Sequence, residues 1–172
     1  DAAAAAAVTA ATAAVVTAEG ANSAATRNAA VALVTALPDS ATKTALIERL
    51  AYVLLVIDAI DDVTAAEASH VQADLDTAQA SVSALNAGAD KTALQVRIDA
   101  EQAVIAQNIV DAAIALVDDA VLSDLQADWD DANDAVSALP AGAVKTTQLA
   151  RLAAQLPTTL VKEAENSDLQ AD

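Results

Sequence analysis

Six of the eight basic residues in this chain occupy two positions of a motif that occurs three times. The motif reads leucine, five residues, Lys-Thr, four residues and arginine, and its copies lie 48 and then 54 residues apart. Its marked residues are Leu37, Lys43 and Arg49 in copy 1, Leu85, Lys91 and Arg97 in copy 2, and Leu139, Lys145 and Arg151 in copy 3. Two cations at a fixed spacing could bind an anionic polymer such as wall glycan, or they could form ion pairs that fix the structure.

The structural interpretation of these cations is favoured by the charge around them. A lysine in the first turn of a helix opposes the helix dipole, so its recurrence indicates a partner, such as an aspartate or glutamate on the adjacent helix or on a neighbouring module. The arginine stem can cover part of the core while its head group pairs with an acid. The net charge of −17 would discourage an anionic ligand. We therefore expect ion pairs, with a glycan site as the alternative.

Each copy of the motif follows a run of residues with helical spacing, and we call the positions of this run the seam. They step by four, three, four and three residues, which is the pattern of a packed helix bundle. The seam is Val71, Leu75, Ala78, Val82 and Leu85 before copy 2, Leu125, Trp129, Ala132, Val136 and Leu139 before copy 3, and Ser23, Arg27, Ala30, Val34 and Leu37 before copy 1. Because Arg27 breaks the apolar pattern, that helix is either rotated or open to water at this end.

These patterns predict an all-α fold made of tandem small three-helix-bundle repeats that form an elongated rod. Alanine dominates the apolar residues, so each core is thin and stacked neighbours must supply burial. The predicted repeats cover residues 1–58, 59–107 and 108–157, and residues 158–172 begin a fourth. The fourth is inferred because Ser167–Asp172 repeats Ser123–Asp128. A closing cap is the alternative for this tail.

Three segments bear on where helices start and stop and on membrane insertion. Asp58–Asp62 is predicted to be a hinge between repeats, and Pro157 to end a helix or to start the next. The uncharged Ala2–Ala18 run is predicted to be a helix. It lacks the basic start of a signal peptide and is less apolar than leucine-rich spans, so we expect no membrane insertion.

The acidic balance and the missing cysteines exclude several classes of function. A charge of −17 repels nucleic acid and anionic lipid surfaces. With no cysteine, the chain has no disulfide, thiol catalyst or thiolate metal site.

Aspartates cluster around Trp129 and at the predicted junctions Asp61-Asp62 and Asp118-Asp119. Their oxygens could bind calcium at the junctions, although the spacing does not match a calcium-binding loop. Solvated helix faces explain the same clusters, and no other cofactor is expected.

Nothing in the sequence assembles a catalytic group. His70 is the only histidine, so it lacks partners for a zinc site, and we expect it to be exposed beside Ser69. A serine or threonine nucleophile would need a base nearby, and no glycine-rich phosphate loop is present. We predict that the chain is not an enzyme.

The stretches TALPDSATKTALIERL, SALPAGAVKTTQLARL and AEASHVQADLDTAQASVSALNAGADKTALQVRI resemble tandem three-helix repeats of large Gram-positive bacterial surface proteins. Such repeats occur in S-layer-like and adhesin-like proteins and as accessory helical domains of insecticidal crystal toxins.

The resemblance implies an extracellular, non-enzymatic structural segment of a cell-surface protein, such as a stalk or a subunit of an S-layer or surface filament. It also implies self-association into a lattice or filament, with the cell wall as a further partner. The alternative is a three-helix adhesin module that binds a host protein or wall glycan.

Overall fold

The computed structural model describes residues 2–169 and is all-helical in architecture over that range, which confirms the all-α prediction. The helices are α1 Ala2–Ala21, α2 Ala24–Thr35, α3 Ala41–Ser69, α4 Gln72–Ala84, α5 Ala89–Ser123, α6 Gln126–Ala138 and α7 Ala143–Leu169. The chain divides into two compact units, residues 1–102 and residues 103–172, and the boundary between them falls within α5.

Short polar residues set the helix ends. The Ser23 side chain accepts a hydrogen bond from the Thr26 amide, and the Ser40 side chain accepts one from the Lys43 amide, so each serine caps the helix that follows. The residue after α1, α3 and α5 has a left-handed backbone in each case, with φ of 44° at Asn22 and 54° at both His70 and Asp124. Asparagine, aspartate and histidine tolerate this conformation better than other non-glycine residues.

In unit 1, an apolar cluster is built from α1, α2 and the first half of α3. Its buried members are Ala11, Val15, Ala18, Ala30, Val34, Leu37, Leu46, Leu50, Val53 and Ile57. Alanine on α1 and α2 lets the helices approach closely, while the larger aliphatic side chains come mostly from α3. The core is thin, as the composition predicts.

The buried Ala-Val-Ala triplet of α1 recurs along the chain at the same spacings as the motif. Ala11, Val15 and Ala18 are matched by Ala59, Val63 and Ala66 on α3 in unit 1 and by Ala113, Val117 and Ala120 on α5 in unit 2. In unit 2 the last triplet belongs to a cluster with Ala132, Val136, Leu139 and Leu152. The tandem repeats, their boundaries and the rod shape stay predictions.

The structure corrects the predicted breaks in the chain. Residues 58–62 are not a hinge, because α3 continues to Ser69. Val56, Ile57 and Ala59 are buried while Asp58 points to solvent, so this stretch is amphipathic and stays helical.

The predictions for the later helices also need correction. Helix α7 continues past residue 157, so the prediction that a helix ends or starts there is wrong. The first seam positions before copies 2 and 3, Val71 and Leu125, are the N-caps of α4 and α6. Their side chains are 50% and 47% exposed, so they lie outside the core. Residues 170–172 of the predicted fourth repeat lie outside the described residues.

Candidate functional site: the Lys-Arg hairpins

The lysine of each motif copy binds the C-terminal end of the helix before it. Lys43 Nζ donates to the carbonyls of Thr35 and Leu37 at 3.2 and 2.8 Å, Lys91 Nζ to those of Ser83 and Leu85 at 2.7 and 2.9 Å, and Lys145 Nζ to those of Ser137 and Leu139 at 2.5 and 2.9 Å. These carbonyls have no partner within their own helix and carry the negative end of its dipole. The lysine therefore caps the preceding helix.

The hairpin geometry explains why a lysine stands in the unfavourable first turn of the next helix. Lys43 is the third residue of α3, close to the Ser40 cap. The short connection from α2 to α3 brings the start of one helix beside the end of the other. The favourable contact with the end of α2 offsets the unfavourable dipole of α3. Lys43 also pairs at 3.2 Å with Asp39, one of the five residues between the motif leucine and lysine. Lys91 and Lys145 bind carbonyls and form no ion pair among the described residues, so the expected acidic partner is wrong for these two lysines.

The arginines of copies 1 and 2 each hold a glutamate from another helix with two hydrogen bonds. Arg49 donates to both carboxylate oxygens of Glu19 at 2.7 and 2.6 Å, and Arg97 to both oxygens of Glu67 at 2.8 and 2.6 Å. The hydrogen bonds lower the pKa of both glutamates and raise the pKa of both arginines. This bidentate geometry fixes the orientation of the two helices.

Arg151 in copy 3 uses a different carboxylate. It donates to Asp118 at 2.6 Å and to the buried Gln148 at 2.9 Å. The position that corresponds to Glu19 and Glu67 is Val121, so the acid has moved one helical turn toward the N-terminus. In copy 2 this earlier position is Thr64, whose hydroxyl accepts a third hydrogen bond from Arg97 at 3.1 Å.

The three motif leucines are core residues. Leu37, Leu85 and Leu139 are 4%, 3% and 4% exposed. The leucine anchors the hairpin, the lysine caps its first helix, and the arginine ties its second helix to a third. All nine predicted site residues are thus engaged within the chain.

The arginine partners carry a signal in the sequence that the motif analysis missed. Glu19 precedes Arg49 by the same 30 residues by which Glu67 precedes Arg97. A search for acids at a constant distance from the repeated cations would have found both pairs. The lysine partners carry no such signal, because every residue has a backbone carbonyl.

The unusual seam residues Arg27 and Trp129 make the same kind of hydrogen bond. Arg27 Nε donates to the Leu50 carbonyl at 3.1 Å, and Trp129 Nε1 donates to the Leu152 carbonyl at 2.8 Å. In both copies the acceptor is the residue after the motif arginine. Arg27 is half-buried, and the matching position before copy 2 is Leu75, which is 2% exposed. The arginine is therefore accommodated at the seam by a backbone acceptor.

His70 is exposed, as expected, and its side chain also contacts Glu101. Its side chain is 48% exposed, and Nδ1 lies 2.8 Å from Glu101 Oε1, whose side chain is 6% exposed. Gln72 and Gln102 exchange hydrogen bonds beside this pair. The contacts join the start of α4 to α5.

The predicted acidic clusters do not converge on a metal site. Among residues 2–169, no group of three or more histidine, aspartate or glutamate side chains could hold a metal ion. Asp119, Asp128 and Asp131 line an open pocket of ≈ 460 Å³ in unit 2, together with Leu116, Leu122 and Ser123.

Helix α1 is long and apolar enough to cross a membrane by length and composition. In unit 1 its buried residues Ala11, Val15 and Ala18 pack in the apolar cluster with α2 and α3.

Comparison of the chain with protein-family models, with curated proteins and with solved structures gave no match.

Proposed function

We propose that this chain is a structural, non-enzymatic segment of an extracellular bacterial surface protein, made of tandem three-helix repeats in an elongated rod. In this proposal each Lys-Arg hairpin fixes the register of one repeat, and the rod serves as a stalk or as a subunit of an S-layer or surface filament. The observation that supports it best is that the motif cations of all three copies are bound to acceptors within the chain.

The equivalent contacts in successive copies support the repeat part of the proposal. The buried Ala-Val-Ala triplet, the left-handed residue after the helix and the lysine cap recur at spacings of 48 and 54 residues. Helix α3 carries core residues of copy 1 in its first half and a triplet in its second half. One helix shared between successive repeats would extend the array along its axis.

The alternative of a glycan- or host-binding adhesin needs cations or an apolar patch that a partner can reach. Each motif lysine already donates to two carbonyls, and each motif arginine to a carboxylate. An anionic glycan polymer would have to replace these contacts, and its many charges would meet the negative charge of the chain. The hairpins therefore favour the structural role.

Small-angle scattering and electron microscopy of the purified chain test the shape and the assembly. The structural proposal expects an elongated scattering profile and, at high protein concentration, fibres or a lattice in micrographs. A compact profile together with isolated round particles would contradict it.

A double substitution separates the structural role of the hairpin from a ligand role. Lys91→Met with Arg97→Met should lower the melting temperature and leave binding to purified bacterial cell walls unchanged. Val96→Met, at a neighbouring 63% exposed position, is the matched control. An unchanged melting temperature with lost wall binding would favour the adhesin alternative.

A further inference from the structure

A groove between α2 and α3 in unit 1 is a feature that the structural role does not use. It has a volume of ≈ 290 Å³ and is lined by Arg27, Val31, Val34, Thr35, Ile47, Leu50 and Ala51. Its walls are mainly aliphatic, and Ile47 is 51% exposed. Arg27 is the one charged residue of the lining.

Arg27 differs from the other three arginines in its partners. Arg49, Arg97 and Arg151 each pair with a carboxylate, whereas Arg27 pairs with none among the described residues. Its Nε is bound to the Leu50 carbonyl, which holds the side chain in place. The two terminal nitrogens of its guanidinium have no hydrogen bond to the described part of the chain. A guanidinium with two terminal donors matches a carboxylate.

Beside copy 2, side chains close the place that corresponds to this groove. Val31 and Ile47 correspond to Gln79 and Gln95, which exchange hydrogen bonds of 3.0 and 2.9 Å across the equivalent helix pair, α4 and α5. Arg27 corresponds there to Leu75, which is 2% exposed. The motif thus does not require an open groove, because copy 2 places Leu75 and the Gln79–Gln95 bridge where copy 1 has Arg27, Val31 and Ile47.

We propose that this groove binds a medium-chain fatty acid. The carboxylate lies against the terminal nitrogens of Arg27, and the hydrocarbon chain lies along Val31, Ile47 and Ala51. Apolar walls with one oriented polar group are typical of small-molecule sites. A carboxylate is also the group that would give an ion pair to Arg27, the one arginine without an acid among the described residues. This binding activity goes beyond the proposed structural role and does not depend on the rod.

Titration calorimetry of the full chain with sodium octanoate, at concentrations at which it forms no micelles, tests the proposal. Octanoate should bind saturably with one site per chain. Octan-1-ol, which has the same hydrocarbon length and no charge, should bind at least about tenfold more weakly because the pair with Arg27 is lost. Equal binding of octanoate and octan-1-ol, or no saturable octanoate binding, would overturn the proposal.

Two variants introduce residues of copy 2 into the groove of copy 1. Arg27→Leu introduces the residue found at Leu75 and should weaken octanoate binding at least about tenfold while leaving octan-1-ol unaffected. Val31→Gln with Ile47→Gln should close the groove by the Gln79–Gln95 bridge and weaken both ligands while Arg27 stays in place.

Val71→Gln, at a 50% exposed valine outside the groove, is the matched control and should bind as the parent chain does. Circular dichroism checks that each variant is folded. Unchanged octanoate binding in folded Arg27→Leu would contradict the assignment. So would binding of a peptide with a C-terminal leucine carboxylate by a chain that does not bind octanoate.

Discussion

The second and third hairpins carry the same motif, yet Arg97 and Arg151 pair with acids at different positions. Arg97 holds both oxygens of Glu67, whereas Arg151 binds one oxygen of Asp118 and completes its contacts with Gln148. The acid of Arg151 comes from an earlier turn of its helix. The long arginine side chain can reach either turn, so the position of the cation is kept while the position of its acid varies.

The difference indicates that the arginine, and not the acid, defines the hairpin. The leucine and lysine contacts are the same in the two copies, because they involve the core and the backbone. The contact with the acid, in contrast, depends on which helical turn carries an acidic side chain. Substitutions should therefore act alike on the two hairpins at the leucine and lysine, and unequally at the acid.

The largest effect should come from the shared leucine. Leu85→Ala and Leu139→Ala each remove a side chain that is 3% or 4% exposed, and each should cost about 2–5 kcal/mol of unfolding free energy. Urea denaturation followed by circular dichroism measures both. A loss below about 1 kcal/mol for either one would mean that its hairpin has no real core contact.

The lysine should have the next largest effect, again similar in both hairpins. Lys91→Met and Lys145→Met keep the aliphatic stem and remove two charged hydrogen bonds to helix carbonyls. Each should cost about 1–2 kcal/mol of unfolding free energy. Exchange of each lysine for arginine is the control, since it keeps the charge. If methionine and arginine variants are equally stable, the lysine does not act as a cap.

The acid should distinguish the two hairpins. Glu67→Gln removes a bidentate pair and should cost up to about 1 kcal/mol, whereas Asp118→Asn removes a single contact at a more exposed carboxylate and should cost about 0.3 kcal/mol. Denaturation of both variants at low and high salt measures the difference. Equal losses would contradict the distinction between the two pairs.

The pH dependence of the Arg97 pair can be no larger than the contribution of the pair itself. The hydrogen bond from Arg97 lowers the pKa of Glu67 from its ordinary value of 4.5. The stability from this pair is present above pH 4.5 and is lost as the pH falls through the lowered pKa. The difference in unfolding free energy between the parent chain and Glu67→Gln should therefore be present at pH 7 and disappear at low pH. A difference that persists at pH 2 would contradict the ion pair as its source.

Much of the helical framework could be predicted, because it depends on local patterns. The seam predicted the buried Leu75, Ala78 and Val82. The all-α prediction followed from the composition and from these periodic runs.

The predicted hinge at Asp58–Asp62 failed because three acids were taken to interrupt a helix. The acids lie on the polar face of a continuous helix, since the neighbouring Val56, Ala59 and Val63 are buried on the other face. The partners of the motif cations could be predicted only in part. A constant spacing marks Glu19 and Glu67, whereas the choice of Asp118 over Val121 depends on which side chain happens to be acidic.

The binding of the motif cations within the hairpins affects the electrostatic repulsion between neighbouring copies of this chain. The chain carries 25 acidic and 8 basic residues, a net charge of −17. Each of the six motif cations is bound within the chain, so they are occupied and do not pair with acids of a neighbouring copy. Copies anchored side by side would repel one another over roughly the 8 Å Debye length of physiological salt. Their spacing would then widen at low ionic strength and shrink when salt is added, so a dense array of copies would respond to the ionic strength of the medium.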